Sequence, residues 1–435
     1  MRALTLTLIF LLQYQYLSGQ ASNWKNACPN WLQYNFRWFL PQCFYNPDVS
    51  GEITDIVQRY KYPATEYNVT TSDGYILVQF RIGDPNGPTI LVIHGIYMNP
   101  MGWTLVGKDS LAFVLAEAGY DVWLVSLRGT RYTKHESLTQ ADPKYWEFTP
   151  HEMGTIDLPA IIETVSTENG GKPITLLPFS MGSTCSLIYT STMPDHVAQH
   201  NVILQVHIAP IAYMDRVSSI VGLGPYIGWS RISAQLKKSG TYYVLKPSDQ
   251  SRRTATLAFL PTTANVRGFW LIMGSIFGFS CQLNPATLAA TVLNGGDTIS
   301  VYVMDFYVQI MQTSKFAALD YKDPAMNQEH YGSDTPPEYD LSKIDIPTTL
   351  IYALNDAMAT KKNVERLHSE LTTNTCLKPV PMSGFTHQDF VIAKDGRKLL
   401  YQPLADEYLI GRCPDATITN CLTNYFANLR RNENE

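Results

Sequence analysis

Short segments made almost entirely of apolar residues recur along the chain, and stretches with helical character separate several of them. Strands that helices cover on both faces of a sheet have this composition. Their alternation with helices predicts an α/β fold, with a mostly parallel sheet between helices. Two β-rich runs on either side of Asp73-Gly74 predict an antiparallel hairpin. The apolar runs are residues 88–96, 119–127, 174–178, 201–210 and 346–354.

The alternation of strand and helix stops after residue 210. The following segment has the character of helices and is rich in aromatic and methionine side chains, including Trp229, Trp270 and Phe277. It is predicted to be a mainly helical cap, inserted into the α/β unit, with a core of its own. The predicted organisation is a signal peptide (1–21), a cysteine-bracketed extension (22–45), an α/β core in two parts (46–210 and 335–435), and the inserted cap (211–334).

The first residues have the layout of a secretory signal peptide. A basic Arg2 precedes an apolar stretch at 3–12 that is too short to span a bilayer, and small residues follow up to Ala21. A buried N-terminal helix is the alternative. No later apolar run reaches spanning length, so no transmembrane segment is predicted. We therefore expect a secreted protein, with the lysosome as the alternative destination and a glycosylation site at Asn68 in Asn68-Val69-Thr70.

Composition limits the classes of partner. The chain has 435 residues, of which 45% are hydrophobic, and can bury a large core. Its formal charge of −5 and its lack of a Lys/Arg run argue against nucleic-acid binding. Its seven cysteines are candidates for disulfides, because a secreted protein matures in an oxidising compartment. The sequence leaves the oligomeric state open.

Two pairs of cysteines lie close along the chain and are predicted to form disulfides, Cys28 with Cys43 and Cys413 with Cys421. The odd count leaves at least one cysteine without an intramolecular partner. The aromatic segment around the first pair is predicted to be a stapled extension, with a lipid-contacting surface as the alternative. No Cys/His cluster has the spacing of zinc ligands. The remaining cysteines are Cys185, expected as a small buried thiol, and Cys281 and Cys376, whose pairing stays open.

One apolar strand runs into Ser180, and small or helix-tolerant residues follow. This pattern predicts a strand, a sharp turn and a helix, which lifts a nucleophilic hydroxyl above the sheet and directs backbone N–H groups at a developing oxyanion. The usual signature is G-x-S-x-G; Gly182 fills the last position, whereas Pro178 stands in the first. The predicted oxyanion donors are the N–H groups of Met181 and of Ile96, which lies in the His-Gly loop after an early strand.

Two further residues complete a candidate nucleophilic site. Asp356 follows the apolar run at 346–354, and His387 follows a short strand around Val380. The order serine, aspartate, histidine is that of α/β-hydrolases and differs from the serine-protease orders. Asp356 has a simpler explanation as a helix cap, and Asp389 is a rival acid. Taken with Ser180, the two residues are predicted to form a catalytic triad, which requires no metal or organic cofactor.

Seven blocks of sequence occur in an order known from one family. They are His94-Gly95-Ile96, residues 128–132, residues 148–160, Phe179-Ser180-Met181-Gly182, residues 209–214, residues 331–341 and Phe385-Thr386-His387-Gln388-Asp389-Phe390. The chain resembles the acid lipases, meaning gastric and lysosomal lipases and their insect relatives, from about residue 46 to residue 404. The family usually has Gly-His-Ser-Gln-Gly at the serine, so Pro178, Phe179 and Met181 are departures. The N-terminal cysteine segment lies outside the shared pattern.

The resemblance implies an activity and a substrate class. It implies that the cap forms an apolar roof and lid over the active site, and that the substrates are triacylglycerols or sterol esters at a lipid–water interface. The hypothesis is a serine lipase that hydrolyses carboxylic esters of neutral lipids through an acyl-enzyme on Ser180. A catalytically impaired lipid-binding or storage protein is the first alternative, motivated by Pro178 and Phe179. A peptidase on the same fold is the second.

Overall fold

The computed structural model describes residues 48, 51–223, 228–246, 263–283, 290–291, 294–415 and 418. The predicted signal peptide (1–21), the extension (22–45), Cys28, Cys43 and Cys421 lie outside these residues. Within the described ranges the strands are β1 (Ala64–Thr70), β2 (Tyr75–Gly83), β3 (Thr89–Ile93), β4 (Asp121–Val125), β5 (Thr133–His135), β6 (Ile174–Pro178), β7 (Val202–Ile208), β8 (Tyr243–Val244), β9 (Ile299–Ser300), β10 (Thr348–Tyr352) and β11 (Thr375–Pro379).

The α-helices vary from a single turn to about four turns. In the same described ranges they are α1 (Ile53–Arg59), α2 (Leu111–Glu117), α3 (Pro150–Glu152), α4 (Leu158–Glu168), α5 (Met181–Thr192), α6 (Pro194–Gln199), α7 (Trp229–Lys238), α8 (Thr263–Phe277), α9 (Val301–Thr313), α10 (Pro324–Tyr331), α11 (Lys361–Glu370), α12 (Asp389–Ile392) and α13 (Gln402–Asp406). None of the helices described here is long and apolar enough to cross a membrane.

One large mixed sheet forms the centre of the molecule. Its strand order is β1-β2-β4-β3-β6-β7-β10-β11, with β5 paired to β2. The pairs from β4 to β11 are parallel, and the pairs that involve β2 are antiparallel. β1 and β2 form the predicted hairpin. The α/β-hydrolase class is therefore confirmed.

The central strands are apolar because helices and loops cover both faces of the sheet. Every residue of β3, β4, β6 and β10 is buried. The register places Ile93 opposite Pro178, and Phe179 bridges to Ile208, so β3, β6 and β7 end at the same edge. The loops that follow these strands, and the loop after β10, carry the candidate site, as expected at the carboxyl edge of a parallel sheet.

Between β7 and β10 the described residues are mainly helical. They include α7 to α10 and a two-stranded antiparallel sheet of β8 and β9. Two buried polar contacts tie this segment to the loops of the large sheet. The Oγ of Ser300 donates to the backbone oxygen of Trp146 over 2.6 Å, and Nδ1 of His330 lies 2.9 Å from Oε1 of Glu152. Glu152 also accepts from the N–H of Thr149 and caps the start of α3.

A buried ionic network accounts for two of the blocks that resemble the acid lipases. The guanidinium of Arg128 binds the carboxylate of Asp157 over 2.6 Å and that of Asp73 over 2.7 Å, and it lies 4.1 Å from the ring centre of Tyr75. The two carboxylates raise the pKa of Arg128 against the opposing effect of burial. These residues therefore hold the loop after β4 to the start of α4.

The structure corrects one predicted disulfide. Cys413 is bonded to Cys376, 37 residues away along the chain, with the two Cα atoms 5.9 Å apart, so the pairing of Cys413 with Cys421 is wrong. Cys376 lies on the edge strand β11, and the chain after α13 returns to this edge, where Lys378 also contacts Asp415 over 2.8 Å. Cys281 is also disulfide-bonded, and Cys185 is a free buried thiol as predicted.

His207, on the central strand β7, is expected to destabilise the fold at acidic pH. It is fully buried, and neither ring nitrogen has a hydrogen-bond partner among the described residues. Burial lowers its pKa to about 3, from an ordinary value of 6.5. Below pH 6.5 the unfolded chain binds a proton that the folded chain does not, so stability falls by about 2 kcal/mol between pH 6.5 and pH 5.

The substitution His207→Leu removes this titration and keeps a side chain of similar size. We compare the free energy of unfolding of the variant with that of the unmodified protein. We expect the difference in favour of the variant to be about 2 kcal/mol larger at pH 5 than at pH 7.5. Urea unfolding of both proteins at the two pH values measures this difference. Equal gains at the two values would show that His207 does not resist protonation in the folded state.

Candidate active site

Ser180 lies on a sharp turn between β6 and α5. Its backbone has a φ of 52° and a ψ of −114°, a positive-φ conformation that is strained for a residue with a side chain. The turn is held by the N–H of Ser180, which donates to the backbone oxygen of Ile208, and by the N–H of Phe179, which donates to that of Ile93. The predicted strand, turn and helix is therefore present around this serine.

Two glycines allow the turn to approach the neighbouring strand. A Cβ on Gly182 would lie 2.7 Å from the backbone oxygen of Ile93, and a Cβ on Gly95 would lie 2.9 Å from the ring of Phe179 and 3.1 Å from the Cβ of Ser180. The separations of 2.7 and 2.9 Å are too short for a side chain at either position. The His-Gly loop after β3 is thus packed directly against the serine, which is where the sequence places the Ile96 donor.

A chain of hydrogen-bonding distances joins the three residues that the sequence selects. Nε2 of His387 lies 2.8 Å from Oγ of Ser180, and Nδ1 of the same ring lies 2.8 Å from Oδ2 of Asp356. The other carboxylate oxygen of Asp356 accepts the N–H groups of Met358 and Ala359, each over 2.8 Å. The carboxylate is therefore fixed from both sides, and the arrangement has the nucleophile, base and orienting acid of a serine hydrolase.

The rival acid, Asp389, has a different environment. Its carboxylate accepts the N–H and the hydroxyl of Thr386, over 2.8 and 2.9 Å, and the hydroxyl of Ser280 over 2.8 Å. Burial raises its pKa to about 7, from an ordinary value of 3.8. The structure brings it near the site as a support for the loop of His387, whereas the imidazole ring is bonded to Asp356.

The two predicted oxyanion donors lie on the loops that flank Ser180. Within the described part of the chain, no hydrogen bond engages the N–H of Met181 or of Ile96. Met181 is the first residue of α5, so its N–H belongs to the open end of a helix. The identity of its side chain does not affect this backbone donor.

Comparison with known proteins agrees with this geometry. Residues 88–200 match the family model of the α/β hydrolase fold, and residues 53–107 match that of a partial α/β-hydrolase lipase region. Lipase member K of Homo sapiens is 29% identical over 385 residues, covering 84% of this chain and 93% of that protein. Gastric triacylglycerol lipase of Homo sapiens is 28% identical over 375 residues, covering 82% of this chain and 91% of that protein.

Lipase 1 of Drosophila melanogaster is similar to the same extent, with 28% identity over 384 residues, 85% of this chain and 82% of that protein. The chain thus resembles these lipases over 82–85% of its length. Together with the match to the α/β hydrolase fold, this similarity assigns the chain to the carboxylic ester hydrolases. A solved esterase from Exiguobacterium antarcticum is more remote, with a TM-score of 0.43 and 17% identity over 80% of this chain and 100% of that one.

The departures from the usual sequence of this lipase family leave the turn intact. Pro178 ends β6 in register with Ile93, and the next two residues keep their hydrogen bonds to the neighbouring strands, Phe179 to Ile93 and Ser180 to Ile208. The ring of Phe179 lies 5.1 Å from that of His387 and 5.8 Å from that of Trp103, measured between ring centres. Phe179 therefore packs against the catalytic candidate His387.

The end of α8 covers the site of this lipase. The ring of Phe277 is stacked on the ring of His387 at a distance of 5.8 Å between centres. The backbone oxygen of Phe277 accepts the N–H of Ala357 over 3.2 Å and that of His387 over 3.4 Å. Ser180 is 1% exposed and His387 is 4% exposed, so water reaches neither side chain freely in this conformation.

Sequence reasoning missed three groups that the structure adds to the site. In the sequence, Phe277 is one aromatic residue of the cap among several, and nothing there places its ring on His387. No sequence pattern selects the hydroxyl of Ser280. Asn355 donates from Nδ2 to the backbone oxygen of Phe279 over 2.8 Å and joins the loop of Asp356 to the cap. The sequon residue Asn68 is exposed on β1, and its glycosylation remains a prediction.

Proposed function

We propose that this protein is a serine lipase that hydrolyses carboxylic esters of neutral lipids through an acyl-enzyme on Ser180. The observation that carries the proposal is the pair of 2.8 Å distances from Ser180 to His387 and from His387 to Asp356. Similarity to the acid lipases supports the same chemistry. Neither argument calls for a metal or an organic cofactor, because the three side chains and the backbone donors supply every group that acyl transfer needs.

In this mechanism, Nε2 of His387 removes the proton from Ser180 as Oγ attacks the ester carbonyl. The C=O electrons move onto the oxygen, which the N–H groups of Ile96 and Met181 hold. The tetrahedral intermediate collapses, the alcohol leaves with the proton from His387, and the acyl group stays on Oγ. Water then attacks the acyl carbon while His387 takes its proton, and release of the fatty acid restores Ser180. Asp356 fixes the imidazole tautomer and stabilises the imidazolium.

The outer surface of α8 and of the turn that packs against it, called the roof here, exposes apolar side chains. These side chains support a lipid substrate at an interface. Leu271 and Ile272 on α8 are 56% and 58% exposed, and Leu223, from a turn that packs against α8, is 53% exposed. Phe279 and Leu354 are also exposed, and the side chain of Asn355 joins the two loops that carry them. Exposed apolar side chains of this density mark a surface that contacts lipid or another protein.

Three observations support a proposal for the compartment in which the protein acts. Gastric triacylglycerol lipases are among the relatives, the first residues have the layout of a secretory signal, and the chain carries the disulfide between Cys376 and Cys413. A secreted enzyme is proposed first, and a lysosomal enzyme is the alternative. A triacylglycerol or a sterol ester fits an apolar roof equally well.

Labelling by a fluorophosphonate tests the proposal against its alternatives, because the reagent marks only an activated serine. We expect one label on Ser180, and turnover of ester but not of peptide substrates. A folded protein that takes no label would instead be the lipid-binding protein without activity. A labelled protein that cleaves peptides and no esters would be the peptidase.

The double substitution Leu271→Glu and Ile272→Glu is expected to disable the enzyme on emulsified lipid but not on a soluble ester. Burying one such side chain in lipid is worth about 1.5–3 kcal/mol, so loss of two weakens interfacial binding by at least about a hundredfold. We expect a fall of at least about tenfold in the hydrolysis of emulsified triolein, and a change of less than about twofold with soluble p-nitrophenyl butyrate.

The matched control is Ile203→Glu, which adds an acidic side chain at an equally exposed apolar position. Ile203 is 47% exposed and lies at the start of β7, at the opposite edge of the sheet from Ser180. The Ile203→Glu substitution should leave the rates with emulsified triolein and with soluble p-nitrophenyl butyrate unchanged. An equal loss on the soluble ester, or an equal loss in the control, would exclude the roof as the lipid-contacting surface.

A further inference from the structure

Three metal-ligating side chains meet on the helical layer outside the catalytic site. They are Glu163 on α4, His196 on α6 and His200 directly after α6, and one ligand atom from each lies within 4.8 Å of the other two. Nε2 of His196 is 3.3 Å from Oε1 of Glu163, and the two imidazole rings are 4.3 Å apart between centres. We propose that these three residues form a binding site for Zn²⁺.

The ligand types favour zinc over calcium or magnesium. Two imidazoles and one carboxylate are a ligand set that zinc takes, whereas the two hard cations prefer oxygen ligands. The histidines are four residues apart on a helical turn, so they project from the same face. Ligand atoms around tetrahedral zinc lie about 3.3 Å apart. The three ligand atoms here lie within 4.8 Å of one another. The side chain of Glu163 is 60% exposed, so a change in its rotamer can bring its carboxylate closer to the histidines.

A further contact orients one of the imidazoles for a metal. Nδ1 of His196 lies 2.8 Å from the hydroxyl of Tyr189, a fully buried side chain on α5. When that nitrogen carries the proton and donates to the tyrosine oxygen, the lone pair of Nε2 faces Glu163. Histidines that bind metals commonly have their second nitrogen held in this way.

The site is structural rather than catalytic. Tyr189 lies nine residues beyond Ser180 on α5, a rise of about 13 Å along the helix. Zinc bound by Glu163 and the two histidines joins α4, which precedes the nucleophile strand, to α6, which follows the nucleophile helix. Because the unfolded chain does not hold the three ligands together, zinc stabilises the folded state, and its removal leaves the hydrolytic groups in place.

Zinc titration of the metal-free full-length protein against a chromophoric chelator tests the site. We expect one Zn²⁺ per chain, and an affinity at least tenfold lower in Glu163→Gln and in His200→Ala. The control is Glu168→Gln, which removes the same charge from an exposed position on the same helix and should bind zinc as the unmodified protein does. Absence of zinc uptake by the unmodified protein, or equal uptake by His200→Ala, would overturn the proposal.

Thermal unfolding followed by circular dichroism is the second readout. Stoichiometric Zn²⁺ should raise the Tm of the unmodified protein and of Glu168→Gln, but not that of His200→Ala, while Mg²⁺ changes none of them. The metal-free spectra establish that each variant is folded before zinc is added. A zinc-dependent rise in Tm that persists in His200→Ala would place the bound metal elsewhere.

Discussion

Replacing Ser180 by alanine is expected to lower kcat for ester hydrolysis by about 10⁶-fold, with little change in stability. Oγ of Ser180 lies 2.8 Å from Nε2 of His387. The strained turn at Ser180 holds the hydroxyl in this position. Without the hydroxyl no acyl-enzyme forms, and only the background supported by the oxyanion donors remains. Initial rates with p-nitrophenyl butyrate measure the loss, and urea unfolding measures the stability.

The matched control for this substitution is Ser183→Ala. Ser183 is one turn further along α5, is equally buried, and donates from Oγ to the backbone oxygen of Pro178 over 3.2 Å. Its backbone N–H donates to the backbone oxygen of Ser180 and is kept in the variant, whereas its hydroxyl bonds to Pro178 and not to the triad, so loss of the hydroxyl should change kcat by less than about tenfold. An active Ser180→Ala enzyme would exclude the acyl-enzyme mechanism.

The second large effect is expected at the acid that orients His387. Asp356→Asn should lower kcat by about 10⁴-fold, because an amide that donates to Nδ1 forces the proton onto Nε2 and prevents the ring from acting as a base. Asp389→Asn should lower kcat by less than about tenfold. Its amide oxygen still accepts from Thr386, and its carboxylate does not contact the imidazole.

Paired rate measurements on these two variants decide between the acids. Circular dichroism and urea unfolding confirm that both are folded, so that a lost rate is assigned to chemistry. A loss of about 10⁴-fold in Asp389→Asn, with Asp356→Asn nearly unchanged, would reverse the assignment.

The central strands were predictable from composition. Each of the five apolar runs contains one observed strand of the parallel sheet, because strands buried on both faces consist mostly of apolar side chains. The edge strands β5 and β11 were harder to locate. β11 is only half-buried and contains Lys378, and it ends at Pro379, one residue before the Val380 around which the sequence suggests a strand.

The candidate site was predictable as a set of residue types in order, but not as a geometry. Ser180, Asp356 and His387 follow strands that end at one edge, which is why order and strand ends select them. The covering ring of Phe277 and the support from Ser280 depend on how the cap returns to the core. The disulfide partner of Cys413 was missed for the same reason, since closeness along the chain does not establish closeness in space.

The cluster of Glu163, His196 and His200 also could not be predicted from the sequence. Thirty-three residues separate the glutamate from the first histidine, and the intervening strand and helix must fold before the ligands meet. A search for fixed zinc spacings in the sequence does not find it. Pro178 and Phe179 depart from the usual family sequence, and this departure suggested an impaired enzyme. The turn beside them nevertheless keeps Oγ of Ser180 within 2.8 Å of Nε2 of His387.

Fatty-acid release from emulsified triolein and cholesteryl oleate, by the full-length protein beside its Ser180→Ala variant, tests the central claim most directly. The account predicts release from at least one of the two lipids that depends on Ser180, and the ratio of the two rates identifies the preferred ester. Absence of release from both emulsions by folded protein, or equal release by the variant, would contradict a serine lipase.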